Sequence, residues 1–343
     1  MQHRFFMPPM SLMGAGCLDQ AGKEIKKMKF KKAVIVTCKP IIESKLIGEL
    51  TSVLDKYEIA YAIFDKAKAK PDLENIKDGI KVYNEQECDF IISFGGNSTR
   101  NCAKGISLML DCNEDGVCRS EGQIPLVAVN VTSFMTGEMP IFTQKIKDKD
   151  EKILIDRSTT PIITVTDSNL LKAMSNKIMG AIGVDALRHA VEAYSSDAAT
   201  PITDACAFQS IKILGESLET IIKGMESDEM REQITYANYL AGIAYNNTIL
   251  GHMYAMDEKN HEEESDENLK KEIPIGEHQG FSQEKISKKM MEIAFAMGQN
   301  VKEISEDDAM VYVMTEIKRL SDMVGIPSGM CKDERVIFGH NKF

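Results

Sequence analysis

Five short runs of β-branched and aromatic residues, separated by stretches with helical spacing, limit this chain's possible folds more than anything else in it. The runs are AVIVT at 33–37, IAYAIFD at 59–65, DFIISFGG at 89–96, LVAVNV at 126–131 and PIITVTD at 161–167. Strands this apolar, covered on both faces, belong to a parallel sheet. Helical patterns at about 41–56 and 72–86 supply the crossovers, so the first half reads β-α-β-α-β. After Asp167 the character changes, and from about 181 to 250 the apolar spacing is helical with no further strand expected. Helices are expected over GVDALRHAVEAYSSD, from near Thr203 in PITDACAFQSIKILGESLETIIKG, over DEMREQITYANYLAGIAYNN, and at about 282–298 and 306–323. The tract from Asp257 to Glu272, DEKNHEEESDENLKKE, has little to bury and reads as a solvated loop or helix face. A Rossmann-like α/β domain followed by an all-α domain is the expected fold class.

With 343 residues, the chain can form two ordinary domains, each with its own core. Its 43% hydrophobic and 27% charged residues mark a globular protein rather than a disordered one. No run of eighteen apolar residues predicts a membrane span. MQHRFFMPPMSLMGAGCL at the N-terminus is interrupted by Pro8 and Pro9 and is not expected to be a signal peptide. The net charge of −11 would repel a phosphate backbone, so nucleic acid is not an expected partner. Eight cysteines without a CxxC pair read as reduced thiols, which points to the cytoplasm.

Two motifs carry candidate chemistry. In DFIISFGGNSTRNCAKG a glycine pair follows a buried strand and precedes a helix, where backbone and helix N-terminal amides can approach a phosphate. Gly95, Gly96 and Ser98 are therefore candidate diphosphate contacts, the alternative being a turn that needs glycine for its geometry alone. In GVDALRHAVEAY, Asp185 and His189 stand four residues apart on one helical face and can bind one divalent cation together. The alternative is an aspartate stabilised by the helix dipole beside a histidine satisfied in the core.

Taken in order, FFMPPMSLMGAGCLDQAG, FGGNSTRNCAKG, GVDALRHAVEAYSSDAATPITDACA, LAGIAYNN and DMVGIPSG make the chain resemble the iron-containing (group III) alcohol dehydrogenases. The resemblance implies the dehydroquinate synthase-like architecture of that family, divided into a dinucleotide-binding domain, residues 1–180, and a helical metal and substrate domain, residues 181–343. It implies hydride transfer between NAD or NADP and a small alcohol or aldehyde, with Fe2+ or Zn2+ as Lewis acid. It also implies a homo-oligomer. Asp185 and His189 match the first two of the family's ligands, an aspartate and three histidines. Asn97, Thr132, Cys38 and Leu170 join Gly95, Gly96 and Ser98 as implied cofactor contacts.

Several positions depart from the family pattern. The third ligand position carries Tyr254, with His252 two residues earlier and about 200° away on a helix. Glu258 takes the place of the neighbouring histidine, and Asn268 falls where the fourth ligand is expected. The substitutes are His278 in IGEHQG, with His252, His261 or water completing the set. Asn97 and Asn101 replace a glycine and an aspartate of the glycine turn. Phe134 and Met135 replace a glycine and a threonine of the nicotinamide loop, and Cys38 replaces an aspartate that favours NAD. These departures leave a second reading, a non-catalytic relative acting as an interaction or regulatory subunit, and a third, metal-free hydride transfer with Tyr254 as proton donor.

Overall fold

The computed structural model describes residues 5–68, 71–110, 124–131, 141–146, 150–155, 159–225, 227–262 and 283–325, with the backbone alone for 141–146, 150–155, 173, 250–262 and 283–287. The strands are β1 (Ser11–Met13), β2 (Lys32–Val36), β3 (Ala60–Phe64), β4 (Phe90–Gly95), β5 (Leu126–Asn130), β6 (Ile141–Ile146), β7 (Asp150–Ile155) and β8 (Ile163–Thr166). Six of them form one parallel sheet in the order β1-β8-β5-β4-β2-β3. β6 and β7 pair separately as an antiparallel hairpin. All five expected strands are present in the parallel sheet. β1 and the hairpin were not anticipated.

The helices of this half are α1 (Cys17–Lys27), α2 (Lys39–Glu43), α3 (Ile47–Lys56), α4 (Leu73–Glu85) and α5 (Asn97–Leu110). The pattern at 41–56 divides into α2 and α3 because Lys45 turns to a left-handed φ of 62° between them. Alternation along the strands feeds two cores. Ile35, Ile92, Val127 and Val129 pack with Leu18, Ile25, Ile41, Leu50 and Leu54 from α1, α2 and α3. On the other face Val34, Val36, Ile91 and Leu126 pack with Ile76, Tyr83, Cys102 and Ile106 from α4 and α5. Each large side chain so buried contributes about 1.5–3 kcal/mol, and burial on both faces holds the sheet between its helix layers.

The second half contains α6 (Asn176–Ser195), α7 (Pro201–Ile222), α8 (Asp228–Glu262), α9 (Gln283–Ala296) and α10 (Glu306–Val324). Their apolar stripes share a third core through Leu187, Ile211, Leu214, Ile234, Ala241, Ile293 and Val313. Thr200 starts α7 with a reciprocal capping box before Pro201, and Ser305 starts α10 in the same way with Asp308. Gly183 lets α6 approach its neighbours, because a Cβ there would lie 2.5 Å from Leu218 Cδ1 and 2.9 Å from Ile234 Cδ1. α6 begins earlier than its motif suggests, and α8 runs on through the first six residues of the acidic tract to Glu262. None of the described helices is long and apolar enough to cross a membrane.

α8 ties the two halves together. Asn247 accepts from the Phe6 amide at 2.7 Å and donates to the Phe6 carbonyl at 3.1 Å. Tyr239 and Ser11 of β1 share a hydrogen bond of 2.7 Å between their hydroxyls.

Candidate active site

The sheet changes direction between β2 and β4: from β2 the chain moves outward to β3, then crosses back to β4 and on to β5 and β8. A crevice opens beyond the carboxyl ends of strands at such a switch point, and ligands of open α/β sheets bind there. The residues that end β2 and β4 are the ones the sequence singled out. Thr37, fully buried, donates from Oγ1 to the Phe94 carbonyl at 2.9 Å and closes the strands together. Cys38 follows it, 8% exposed, at the start of α2.

After β4, Gly95 takes φ 151°, and a Cβ there would lie 2.7 Å from Thr99 Oγ1 and 2.9 Å from Ile41 Cδ1. Only glycine permits this backbone. Gly96 caps α5 by accepting from the Thr99 hydroxyl at 2.8 Å and the Arg100 amide at 3.2 Å. Asn97 and Ser98 form the first turn of α5, where amides unpaired within the helix can meet an anion.

A buried network underlies this turn. Arg100, 1% exposed, donates to Asn130 Oδ1 at 3.0 Å and to Asn97 Oδ1, and Asn130 donates to Thr166 Oγ1 at 3.2 Å. The side chain that replaces the expected third glycine is therefore held by a guanidinium, and the ends of β4, β5 and β8 are linked. Lys104, one turn further on, is also fully buried. Sequence reasoning missed Arg100, because a single charged residue in a helix carries no sign of burial.

Past β8, the Asp167 carboxylate accepts from the amides of Gly16 at 2.9 Å, Leu18 at 3.0 Å and Asn169 at 2.9 Å, anchoring the start of α1. Leu170, in the short 3-10 turn that follows, is 2% exposed and packs in the core shared by Leu12 and Leu18. Thr132, Phe134 and Met135 lie outside the described residues.

Asp185 and His189 lie on one face of α6, with His189 Nδ1 3.6 Å from Asp185 Oδ1. Nδ1 also lies 2.6 Å from the Asp185 carbonyl oxygen. A carbonyl only accepts, so Nδ1 carries the hydrogen, and the nitrogen this leaves to offer a metal its lone pair is Nε2. Tyr245 of α8 sets its ring edge against the imidazole, with centroids 4.3 Å apart at 75°. Burial, then the charges of Glu192 and Asp185, hold the Tyr245 hydroxyl well above its ordinary pKa, so it stays protonated. Carboxylate and imidazole thus fit two places of a divalent metal's donor set. The described residues contain no cluster of three or more such donors. His252, Tyr254, Glu258 and His261 lie on the described backbone of α8 without described side chains, while Asn268 and His278 lie outside the described residues. An open cavity of about 620 Å³, lined by Tyr194, Phe208, Met291 and Phe295 among others, includes none of these candidates.

Residues 8–168 match the family model for iron-containing alcohol dehydrogenase, and residues 179–334 match that for the C-terminal part of the Fe-containing alcohol dehydrogenase family. The chain is 36% identical over 264 residues to alcohol dehydrogenase 4 of Schizosaccharomyces pombe, covering 74% of this chain and 62% of that protein, so the match spans less than two thirds of the relative. It is 30% identical over 336 residues to an NAD-dependent methanol dehydrogenase of Bacillus methanolicus, covering 95% and 88% of the two chains. Among solved structures, a 1,3-propanediol oxidoreductase superposes with a TM-score of 0.78 at 27% identity, again covering 95% and 88%.

Proposed function

The chain belongs to the iron-containing alcohol dehydrogenases, and from that membership we propose that it moves hydride between a nicotinamide cofactor and a small alcohol or aldehyde. The observation that carries the proposal is the Asp185 and His189 pair, whose tautomer leaves Nε2 free for a metal. The dehydrogenase names of the quoted relatives agree with it, and they lend nothing to a non-catalytic role. The dinucleotide-binding domain ends at about residue 180 on this reading, and the helical domain follows.

In this proposal Gly95, Gly96, Asn97 and Ser98 hold the diphosphate through backbone amides and small side chains. Cys38 lies at the adenosine ribose, and Thr132 and Leu170 are the further cofactor contacts of this proposal. Asp185 and His189 hold Fe2+, or alternatively Zn2+, with His278 and His252 completing the set. A metal held there supplies Lewis acidity at the substrate oxygen. The chain is further proposed to work as a cytoplasmic homo-oligomer.

The test is an anaerobic assay of the ferrous-loaded chain with methanol, 1,3-propanediol and short aldehydes, following nicotinamide absorbance. Alcohol-dependent reduction of NAD or NADP, or the reverse with aldehyde, is expected. No turnover with any of these, beside intact metal and cofactor binding, would favour the non-catalytic reading.

A further inference from the structure

We propose that the rim formed by the ends of β2 and β3 is a phosphate site, in which Lys39 and Lys66 hold the 2′-phosphate of NADP(H) and make that cofactor the preferred one. The proposal rests on the reading of the switch-point crevice as a dinucleotide site. In sheets of this kind the diphosphate sits at the glycine turn and the adenosine ribose lies over the neighbouring strand. An acidic residue at that strand's end bonds the 2′-hydroxyl of NAD and repels a phosphate, while a cation there accepts the phosphate of NADP.

Here the glycine turn follows β4, and the neighbouring strand on the outer side is β2, paired in register from Ala33 with Phe90 to Val36 with Ser93. β2 leads through Thr37 to Cys38, an uncharged and nearly buried residue where the carboxylate would stand. The backbone partner of Cys38 across the crevice rim is Lys66, and the next residue in sequence is Lys39. Both lysines are exposed, and neither ammonium makes a hydrogen bond or ion pair among the described residues. Lys68, by contrast, is committed to Asp72 at 2.8 Å. Two cations therefore flank the position that has lost its anion.

The rim is also held in place before any ligand arrives. The Thr37 amide donates to the Phe64 carbonyl at 2.9 Å, and the Ala67 amide donates to the Thr37 carbonyl at 3.1 Å. Asn75, 2% exposed, donates to the Lys66 carbonyl at 2.8 Å and accepts from the Lys68 amide at 3.0 Å. Lys66 thus projects from a backbone fixed on both sides, so a phosphate bound there has only the lysine side chains to order.

The experiment titrates the full chain with NADP+, NAD+ and adenosine 2′,5′-bisphosphate by calorimetry at two salt concentrations. Tighter binding of NADP+ than NAD+ by tenfold or more, weakened by salt, is expected. In Lys39→Ala/Lys66→Ala the NADP+ to NAD+ affinity ratio should fall at least tenfold, and Cys38→Asp should lower it in the same direction. Binding of both cofactors with a ratio that the double variant does not move would overturn the phosphate site while leaving the dinucleotide crevice standing. Binding of neither cofactor would overturn both.

Discussion

Gly95 places the tightest residue-level demand on the crevice, because its φ of 151° and the Thr99 and Ile41 side chains leave no room for a Cβ. Gly95→Ala is expected to lower unfolding free energy by about 1–3 kcal/mol, read by urea denaturation, and to weaken dinucleotide binding by more than tenfold. Wild-type values for both would mean that the turn needs glycine for neither purpose. The glycine pair was legible in the sequence because it follows an apolar strand, and the Asp185 and His189 pair because four residues return a helix to one face. Arg100 was not legible. Its burial depends on Asn97 and on Asn130, which reaches it from the next strand of the sheet.

Among the elements, α7 and α10 are joined by charges that report their packing. Arg319 Nη2 lies 2.6 Å from Glu219 Oε2, and Lys223 is hydrogen-bonded to the same carboxylate. Lys223 first, then Arg319, draws the Glu219 carboxyl from its ordinary 4.5 to about 2. The folded value lies below the unfolded one, so this contribution is fully present above about pH 4.5 and is lost as pH falls toward 2. Both side chains are partly exposed, which keeps the effect small. Arg319→Ala should make stability fall less steeply between those pH values in urea titrations, and an unchanged slope would show the bridge to be inert. Elements were readable where one pattern dominated. β1 has three residues and a partner some 150 positions later, so nothing local marks it as a strand. The start of the acidic tract proved helical because glutamate and lysine are good helix formers, and charge density speaks to exposure rather than to backbone shape.

At the scale of the whole molecule, the sheet and the helical core were legible as a change from strand to helical periodicity after Asp167. The way α8 ties them through Asn247 and Tyr239 was not, because such polar contacts join residues more than two hundred positions apart. The working proposal needs both halves: a crevice at the switch point for the cofactor and a donor pair on α6 for the metal. The donor pair can be tested most directly, by metal content of the full chain purified without air and loaded with ferrous ion, beside Asp185→Ala and His189→Ala variants that keep the wild-type circular dichroism. About one metal per chain is expected in the wild type, and its loss in both variants. No metal in the wild type above the variants' level would contradict it.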